Sequence, residues 1–147
     1  MTDEQVKEIL ENAEYGTLSL IGDGGYPYSV ALNFVYMNGK IYFHCAKAGH
    51  KIDAIKENSK ACFNIVSEEE VIKEKYTTYY KSVVAFGNAR IVENEKLKTE
   101  AVTALAKKYV PFGDDEIKQE VDRFLKALCV IEFDIDHVTG KEYKPQQ

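Results

Sequence analysis

The strongest structural signal in the chain is YGTLSLIGDGGYPYSVALNFVYMNGKIYFHCA at residues 15–46. Apolar residues recur at alternate positions in three runs, which is typical of strands that bury one face. Two turn sequences separate the runs, Asp23-Gly24-Gly25 and Asn38-Gly39, and both favour tight β-hairpins. The segment therefore predicts a β-meander of three strands, at 15–22, 26–36 and 40–46.

The remainder of the chain adds three strands and four helices. The apolar pattern predicts strands at 60–67, 77–92 and 129–136, with a bend or bulge at Gly87. It predicts an N-terminal helix, a short helix after Gly49, and two helices separated by Pro111-Phe112-Gly113. The charged segment 67–75 receives no assignment and is expected to be a solvated excursion. Together these elements predict an α+β, mainly β protein, a six-stranded antiparallel split β-barrel with peripheral helices.

Composition limits the class of protein. The chain has 147 residues, 45% hydrophobic and 29% charged, which fits one packed domain spanning 1–147. A net charge of −5 argues against a nucleic-acid partner. The apolar runs are too short for a membrane helix, and the first residues lack the basic and apolar regions of a secretory signal. Three cysteines without paired spacing indicate reduced thiols and a cytoplasmic location.

A basic loop, Cys45-Ala-Lys-Ala-Gly-His-Lys51, leads directly into the predicted short helix. Cations at a helix N-terminus oppose the helix dipole, so Lys47, His50 and Lys51 are unfavourable there without an anion. A phosphate held by the free backbone N–H groups and these side chains would remove the conflict. The alternative interpretation is a solvated loop with incidental lysines. No P-loop or dinucleotide-binding pattern occurs.

A metal site, a Cys–His nucleophile pair and an aromatic binding site have weaker support in the sequence. His44 and Cys45 are neighbours on a predicted strand and point to opposite faces, which argues against a shared metal or a Cys–His nucleophile pair. The tyrosines at 26, 28, 76, 79 and 80 suit core packing, an aromatic ligand or a subunit interface.

Taken together, segments 23–34, 39–46, 49–51 and 135–141, with Asn58, resemble the FMN-binding split-barrel proteins. These are the pyridoxamine phosphate oxidase-like flavoproteins, and the nitroimidazole-resistance branch is the most similar. The resemblance extends from Tyr15 to Lys141. It implies a homodimer with two FMN sites at the subunit interface.

The same resemblance implies a set of cofactor-binding residues. The second strand would lay its backbone along the flavin ring, the third strand and following loop would hold the ribityl chain and phosphate, and the partner's fifth strand would approach the flavin. Lys51 would be the main cation for the phosphate, with His50 assisting. The residues of the second strand are Val30, Ala31, Leu32 and Asn33. Those of the third strand and its loop are His44, Cys45, His50 and Lys51. Those of the fifth strand are Lys81, Ser82 and Val83.

Vitamin B6 phosphate oxidases of this family carry arginines where His50 and Val30 stand, so the resemblance does not imply that activity. It implies an FMN-dependent oxidoreductase that takes hydride from NAD(P)H and reduces a small electron-poor acceptor such as a nitroaromatic. No catalytic acid or base is assigned, although His44 is the favoured proton donor. The alternatives are a flavin-binding or stress-related module without turnover, and a split barrel that binds a deazaflavin or haem.

Overall fold

The computed structural model describes residues 1–144, which form four α-helices and seven strands. The helices are α1 Asp3–Asn12, α2 His50–Glu57, α3 Glu95–Tyr109 and α4 Asp114–Phe124. The strands are β1 Tyr15–Ile21, β2 Pro27–Asn33, β3 Val35–Met37, β4 Lys40–Ala46, β5 Lys60–Ile72, β6 Thr77–Ile91 and β7 Leu128–Tyr143. Among these residues, no helix is long and apolar enough to cross a bilayer.

All seven strands belong to one antiparallel sheet in the order β2-β1-β5-β6-β7-β4-β3. The two edge strands, β2 and β3, follow each other in the chain and are separated by Phe34 alone. In a flat sheet of seven strands the edges would lie about 29 Å apart, whereas one intervening residue spans about 7 Å. The sheet must therefore curl until its edges meet, which produces the predicted split barrel.

The last turn of α3 fixes the junction at Phe34, whose side chain is completely buried. The backbone N–H of Phe34 donates to the Tyr109 hydroxyl at 3.1 Å. The Lys108 ammonium donates to the carbonyls of Phe34 at 2.8 Å and Ala13 at 2.6 Å, and lies 3.8 Å from the centre of the Phe34 ring. These contacts satisfy the backbone groups that the change from β2 to β3 leaves outside the sheet.

Two hydrophobic layers hold the sheet in this shape. Inside the barrel, the Phe63 ring contacts those of Phe34 and Phe43 edge-on, each at 5.0 Å between ring centres. The helices α1 and α2 pack on this core. A second cluster joins Tyr42 and Val130 of the sheet to α3 and α4.

The predicted fold class is confirmed, with one more strand than expected. Segment 26–36 was predicted as a single strand but divides at Phe34 into β2 and β3, because the chain turns there from one sheet edge to the other. Asn38 and Gly39 form the expected turn, both with positive φ. At Gly87 the β6–β7 register shifts, as predicted; a Cβ there would lie 1.9 Å from the Asp134 carbonyl oxygen.

Two boundaries were wrong, and for the same reason. The strand predicted to end at Ser67 continues to Ile72, so most of the unassigned charged segment is strand, and the last strand continues past Asp136 to Tyr143. Both extensions pair with the first half of β6. Ladder hydrogen bonds hold them in place although their side chains are largely exposed, so a hydrophobic pattern does not reveal them.

The environment of Lys108 predicts a specific pH dependence of stability. Burial lowers the pKa of Lys108 from 10.5 to about 8, against the opposing charge of Glu14. The native state thus loses this proton at lower pH than the unfolded chain, so the free energy of unfolding should rise with pH between about 8 and 10.5. Lys108→Met should reduce the slope of the free energy of unfolding against pH by at most about 1.4 kcal/mol per pH unit.

Urea unfolding at several pH values between about 8 and 9.5, below the titration of most tyrosines, measures this slope. Lys107→Met is the matched control, because Lys107 is exposed and pairs with Asp114 at 3.8 Å. Equal slopes in the parent protein and Lys108→Met would contradict the assignment.

Candidate functional site

The barrel has an opening between β2 and the second half of β4. The edge strand β2 pairs with β1 on one side, and β3 pairs with β4 only at residues 40–42. Within residues 1–144, the outer edge of β2 and the 43–46 edge of β4 therefore have no strand partner. Both edges face the opening that the junction at Phe34 creates, so their backbone groups are free to bind a polar ligand.

The predicted residues of β2 lie along this opening. Val30 and Leu32 point inward and pack against the core while staying half-exposed, and Ala31 and Asn33 point outward. The Asn33 side-chain amide donates to the Glu14 carbonyl at 2.9 Å, which ties this end of β2 to the chain before β1. A ligand in the opening would thus meet the unpaired backbone groups of β2 and the half-exposed apolar side chains of Val30 and Leu32.

The helix α2 begins at one end of the opening without a capping side chain. Its N-cap is Gly49, with φ of 142°, a left-handed conformation that favours glycine. A Cβ on Gly49 would meet no atom within 4 Å, so the space beside the N-cap is open. By contrast, Thr2 caps α1 and Asn94 caps α3.

Charge at the start of α2 also departs from the other helices. The helix α4, likewise without a capping side chain, has three acids in its first turn, at 114–116. The first turn of α2 has one acid, Asp53, preceded by His50 and Lys51. Among the described helices, α2 therefore starts with a cation, Lys51, where α4 has acids, and it has no capping side chain; this arrangement leaves its N-terminal N–H groups available to an anion.

The His50 side chain joins the β1–β2 turn to the start of α2. Its ring meets the Tyr28 ring edge-on, with 4.5 Å between centres, and its Nδ1 lies 3.8 Å from a carboxylate oxygen of Asp23. A Cβ on Gly22 would lie 3.2 Å from Nε2 of His50, so the imidazole packs closely over this turn. The sequence indicated a tyrosine cluster but not this contact, because Tyr28 lies in the β1–β2 hairpin and His50 begins α2.

The Lys51 ammonium acts on both predicted residues at the end of β4. Burial lowers the pKa of His44, and the charge of Lys51 lowers it further. Burial raises the pKa of Cys45; Lys51 opposes this rise, and Cys129 adds to it. The imidazole is thus neutral at pH 7, which suits a hydrogen-bonding neighbour of a ligand better than the predicted proton donor. The structure brings His44, Cys45, His50 and Lys51 together around one corner of the opening.

The cofactor-binding residues predicted on β6 lie away from the corner of the opening at Lys51. Lys81 pairs with Glu68 at 3.2 Å and lines a cavity beside α1. Seven positions along β6, about 23 Å, separate Lys81 from Asn88, which pairs with Lys60 just after α2. The Val83 side chain is completely buried and its strand is paired on both sides, so only Ser82 and Lys81 present groups to a ligand. A single chain does not bring these residues to Lys51.

Neither arginine is available at this corner. Arg90 binds the buried carboxylate of Glu132 through Nε at 2.7 Å and Nη2 at 2.6 Å. Burial by itself would raise the pKa of Glu132, but hydrogen bonds from Tyr42, Lys40 and Arg90 outweigh it and lower the value. Arg123 lies on α4. Recognition of an anion at α2 would therefore depend on Lys51, His50 and backbone N–H groups.

Two features of this region had no signal in the sequence. Cys129 lies directly opposite Cys45 in the β4–β7 ladder. Behind the 47–49 loop, a cavity of about 570 Å³ is bounded by α2, the end of β6, α3 and the start of β7. Both depend on pairings between distant parts of the chain, which local patterns do not report.

Residues 2–142 match the sequence model of the pyridoxamine 5′-phosphate oxidase family. No protein with a curated description matches the chain.

Several solved structures share the fold. A suggested 5-nitroimidazole antibiotic resistance protein from Bacteroides thetaiotaomicron is 19% identical with a TM-score of 0.77, over 95% of this chain and 82% of that one. The FAD and haem binding protein from Mycobacterium smegmatis is 17% identical with a TM-score of 0.82, over 98% and 72%. An FAD-binding protein from Mesorhizobium loti is 20% identical with a TM-score of 0.72, over 98% and 96%. At these identities the likeness establishes the split-barrel fold.

Proposed function

Because the chain belongs to the pyridoxamine 5′-phosphate oxidase family, we propose that it is a flavoprotein that binds FMN across the opening between β2 and β4. The observation that carries the proposal is the start of α2, which has open space beside its N-cap, lacks a capping side chain and carries Lys51 and His50. The description of two structural neighbours as FAD-binding proteins supports a flavin.

The donor set fits a flavin phosphate. A phosphate monoester carries up to two negative charges and three acceptor oxygens, and α2 offers first-turn N–H groups, an ammonium and an imidazole. The free backbone of β2 suits the polar edge of a planar ring, and the half-exposed Val30 and Leu32 suit its apolar part. FMN places its phosphate at the end of the molecule, and α2 lies at the end of the opening.

We propose that a second copy of the chain completes the site. By register, Ile21, Val66, Phe86 and Ser82 lie on one outer face of the sheet, and the three apolar residues are well exposed. Exposed apolar patches of this kind mark interaction surfaces. A homodimer through this face would cover it and would let the partner subunit's Ser82 approach an opening that its own chain does not reach, while Lys81 points to the opposite face of β6, beside α1.

For activity, we propose NAD(P)H-linked reduction of a small electron-poor acceptor. When bound, the flavin supplies hydride and electron transfer. The residues of this chain hold the phosphate, shield one side of the ring with β2 and keep neutral His44 beside the ligand. Oxidation of a vitamin B6 phosphate is disfavoured, because His50 and Val30 replace arginines of those enzymes and Arg90 is bound to Glu132.

The absorption spectrum tests the cofactor, and mixing with a reductant tests the activity. We expect purified protein to be yellow, with a band at about 450 nm, and to release FMN on denaturation. Anaerobic stopped-flow mixing with NADH or NADPH should bleach that band. Release of FAD would overturn the choice of FMN, and a haem or deazaflavin spectrum would overturn the flavin. A flavin band that neither NADH nor NADPH bleaches would contradict the proposed activity and would indicate a flavin-binding module without turnover.

Lys51→Ala should weaken FMN binding to the apoprotein by about 1.5–3 kcal/mol, which is about 10- to 150-fold, because a charge-assisted hydrogen bond is lost. Fluorescence titration with FMN measures the affinity. Lys56→Ala, at the other end of the same helix, is the matched control and should bind FMN almost as tightly as the parent. Equal losses in both variants, with equal thermal stability, would place the phosphate elsewhere.

Val66→Glu should convert the homodimer into monomers and reduce flavin retention on dilution, because it adds charge to the proposed interface beside Ser82. Analytical ultracentrifugation with absorbance detection follows mass and flavin together. Phe112→Glu is the control: Phe112 is 58% exposed, like Val66 at 56%, but lies between α3 and α4. A parent protein that is monomeric yet holds flavin tightly would refute the shared site.

A further inference from the structure

Two of the three cysteines lie directly opposite each other in the sheet. Cys45 near the end of β4 pairs with Cys129 at the start of β7. Directly opposed residues of antiparallel strands have Cα atoms about 4.5–5.5 Å apart and side chains on the same face. This separation lies inside the range of about 4.4–6.8 Å that disulfides occupy, so a bond needs little backbone movement.

The two thiols act on each other, and one of them lines a cavity. Cys129 is among the causes that raise the pKa of Cys45. Cys45 is half-buried, while Cys129 is only 7% exposed but lines the cavity of about 570 Å³ behind the 47–49 loop. Hydrogen peroxide is no larger than two waters and can enter a cavity of this volume.

Nearby cations partly offset the effect of burial on the more accessible cysteine. Burial raises the pKa of the Cys45 thiol, and the Lys51 ammonium opposes that rise. Lys47 and Lys56 line the same cavity as Cys129. Cations near a thiol stabilise its thiolate, the form that reacts with peroxides. The third cysteine, Cys62, lies on the outer face of β5 opposite Ser19 and Phe86, with neither a cation nor a thiol as ladder partner.

We propose that Cys45 and Cys129 form a reversible disulfide with hydrogen peroxide as the oxidant. The Cys45 thiolate attacks one peroxide oxygen, the O–O bond breaks, and the departing hydroxide takes up a proton as water. The Cys129 thiol then attacks the resulting sulfenic sulfur, forming the S–S bond and releasing a second water. Two thiols are oxidised, one peroxide is reduced to two waters, and a dithiol reductant restores the pair.

The bond would also act on the flavin site, and this second part rests on the proposed function. Closing the disulfide fixes the end of β4 to β7 two residues before the 47–49 loop, which leads to Lys51 at the start of α2. Even a small shift there changes the distance between the ammonium and the phosphate. Oxidised protein should therefore bind FMN several-fold more weakly than reduced protein.

Mass spectrometry of the folded full-length chain tests the bond. Reduced protein treated with a small excess of peroxide should lose about 2 Da, two hydrogen atoms. Trypsin should then yield a linked pair of peptides, 41–47 and 127–141, that dithiothreitol separates. Cys129→Ser should abolish the link, as should Cys45→Ser, whereas Cys62→Ser, the matched control, should form it at the parent rate.

Each alternative outcome has a separate meaning. Addition of oxygen atoms without a 2 Da loss, or a link only between Cys62 residues of two chains, would overturn the disulfide. A disulfide that leaves FMN affinity unchanged would overturn its effect on the flavin site. If the reduced chain binds no FMN while the linked peptides form, the proposed flavoprotein function fails and the thiol pair stands.

Discussion

The single residue between β2 and β3 is the constraint that shapes the molecule. Phe34 joins the two edges of a seven-stranded sheet, so the sheet can form its ladders only by curling. The curl encloses the aromatic core around Phe63, and α3 secures it through Lys108 and Tyr109. Because β3 is short, the barrel does not close along β4, and the same constraint that makes the barrel leaves its opening.

Charged and titratable groups at the start of α2 determine which ligands the opening favours. At most helix starts in the described chain, a capping side chain or acids offset the positive end, but α2 presents Lys51 and His50 there. The Lys51 charge reaches His44 and Cys45 on the neighbouring strand, so one ammonium influences an imidazole, a thiol and any bound anion. An anion bound at Lys51 and a change at the Cys45 thiol would therefore influence each other.

Much of this could be predicted from residue patterns, and the failures share a cause. The hairpin turn at Asn38-Gly39, the bulge at Gly87 and the charged start of α2 were all predicted correctly. The charged 67–75 segment was not, because the first half of β6 holds it as strand through backbone hydrogen bonds that side-chain polarity does not report. The opposition of Cys45 and Cys129 was missed for the same reason.

The local amino-acid sequence specifies the turns, the capped helices and the cationic loop, since these depend on interactions among residues a few positions apart. It does not specify that β4 lies beside β7, that Tyr28 meets His50, or that the β6 residues Lys81 and Ser82 lie far from Lys51. Those relations arise when distant segments bury a common core and exchange ladder hydrogen bonds. Burial and pairing of the whole sheet, rather than any one segment, set the positions of the functional groups.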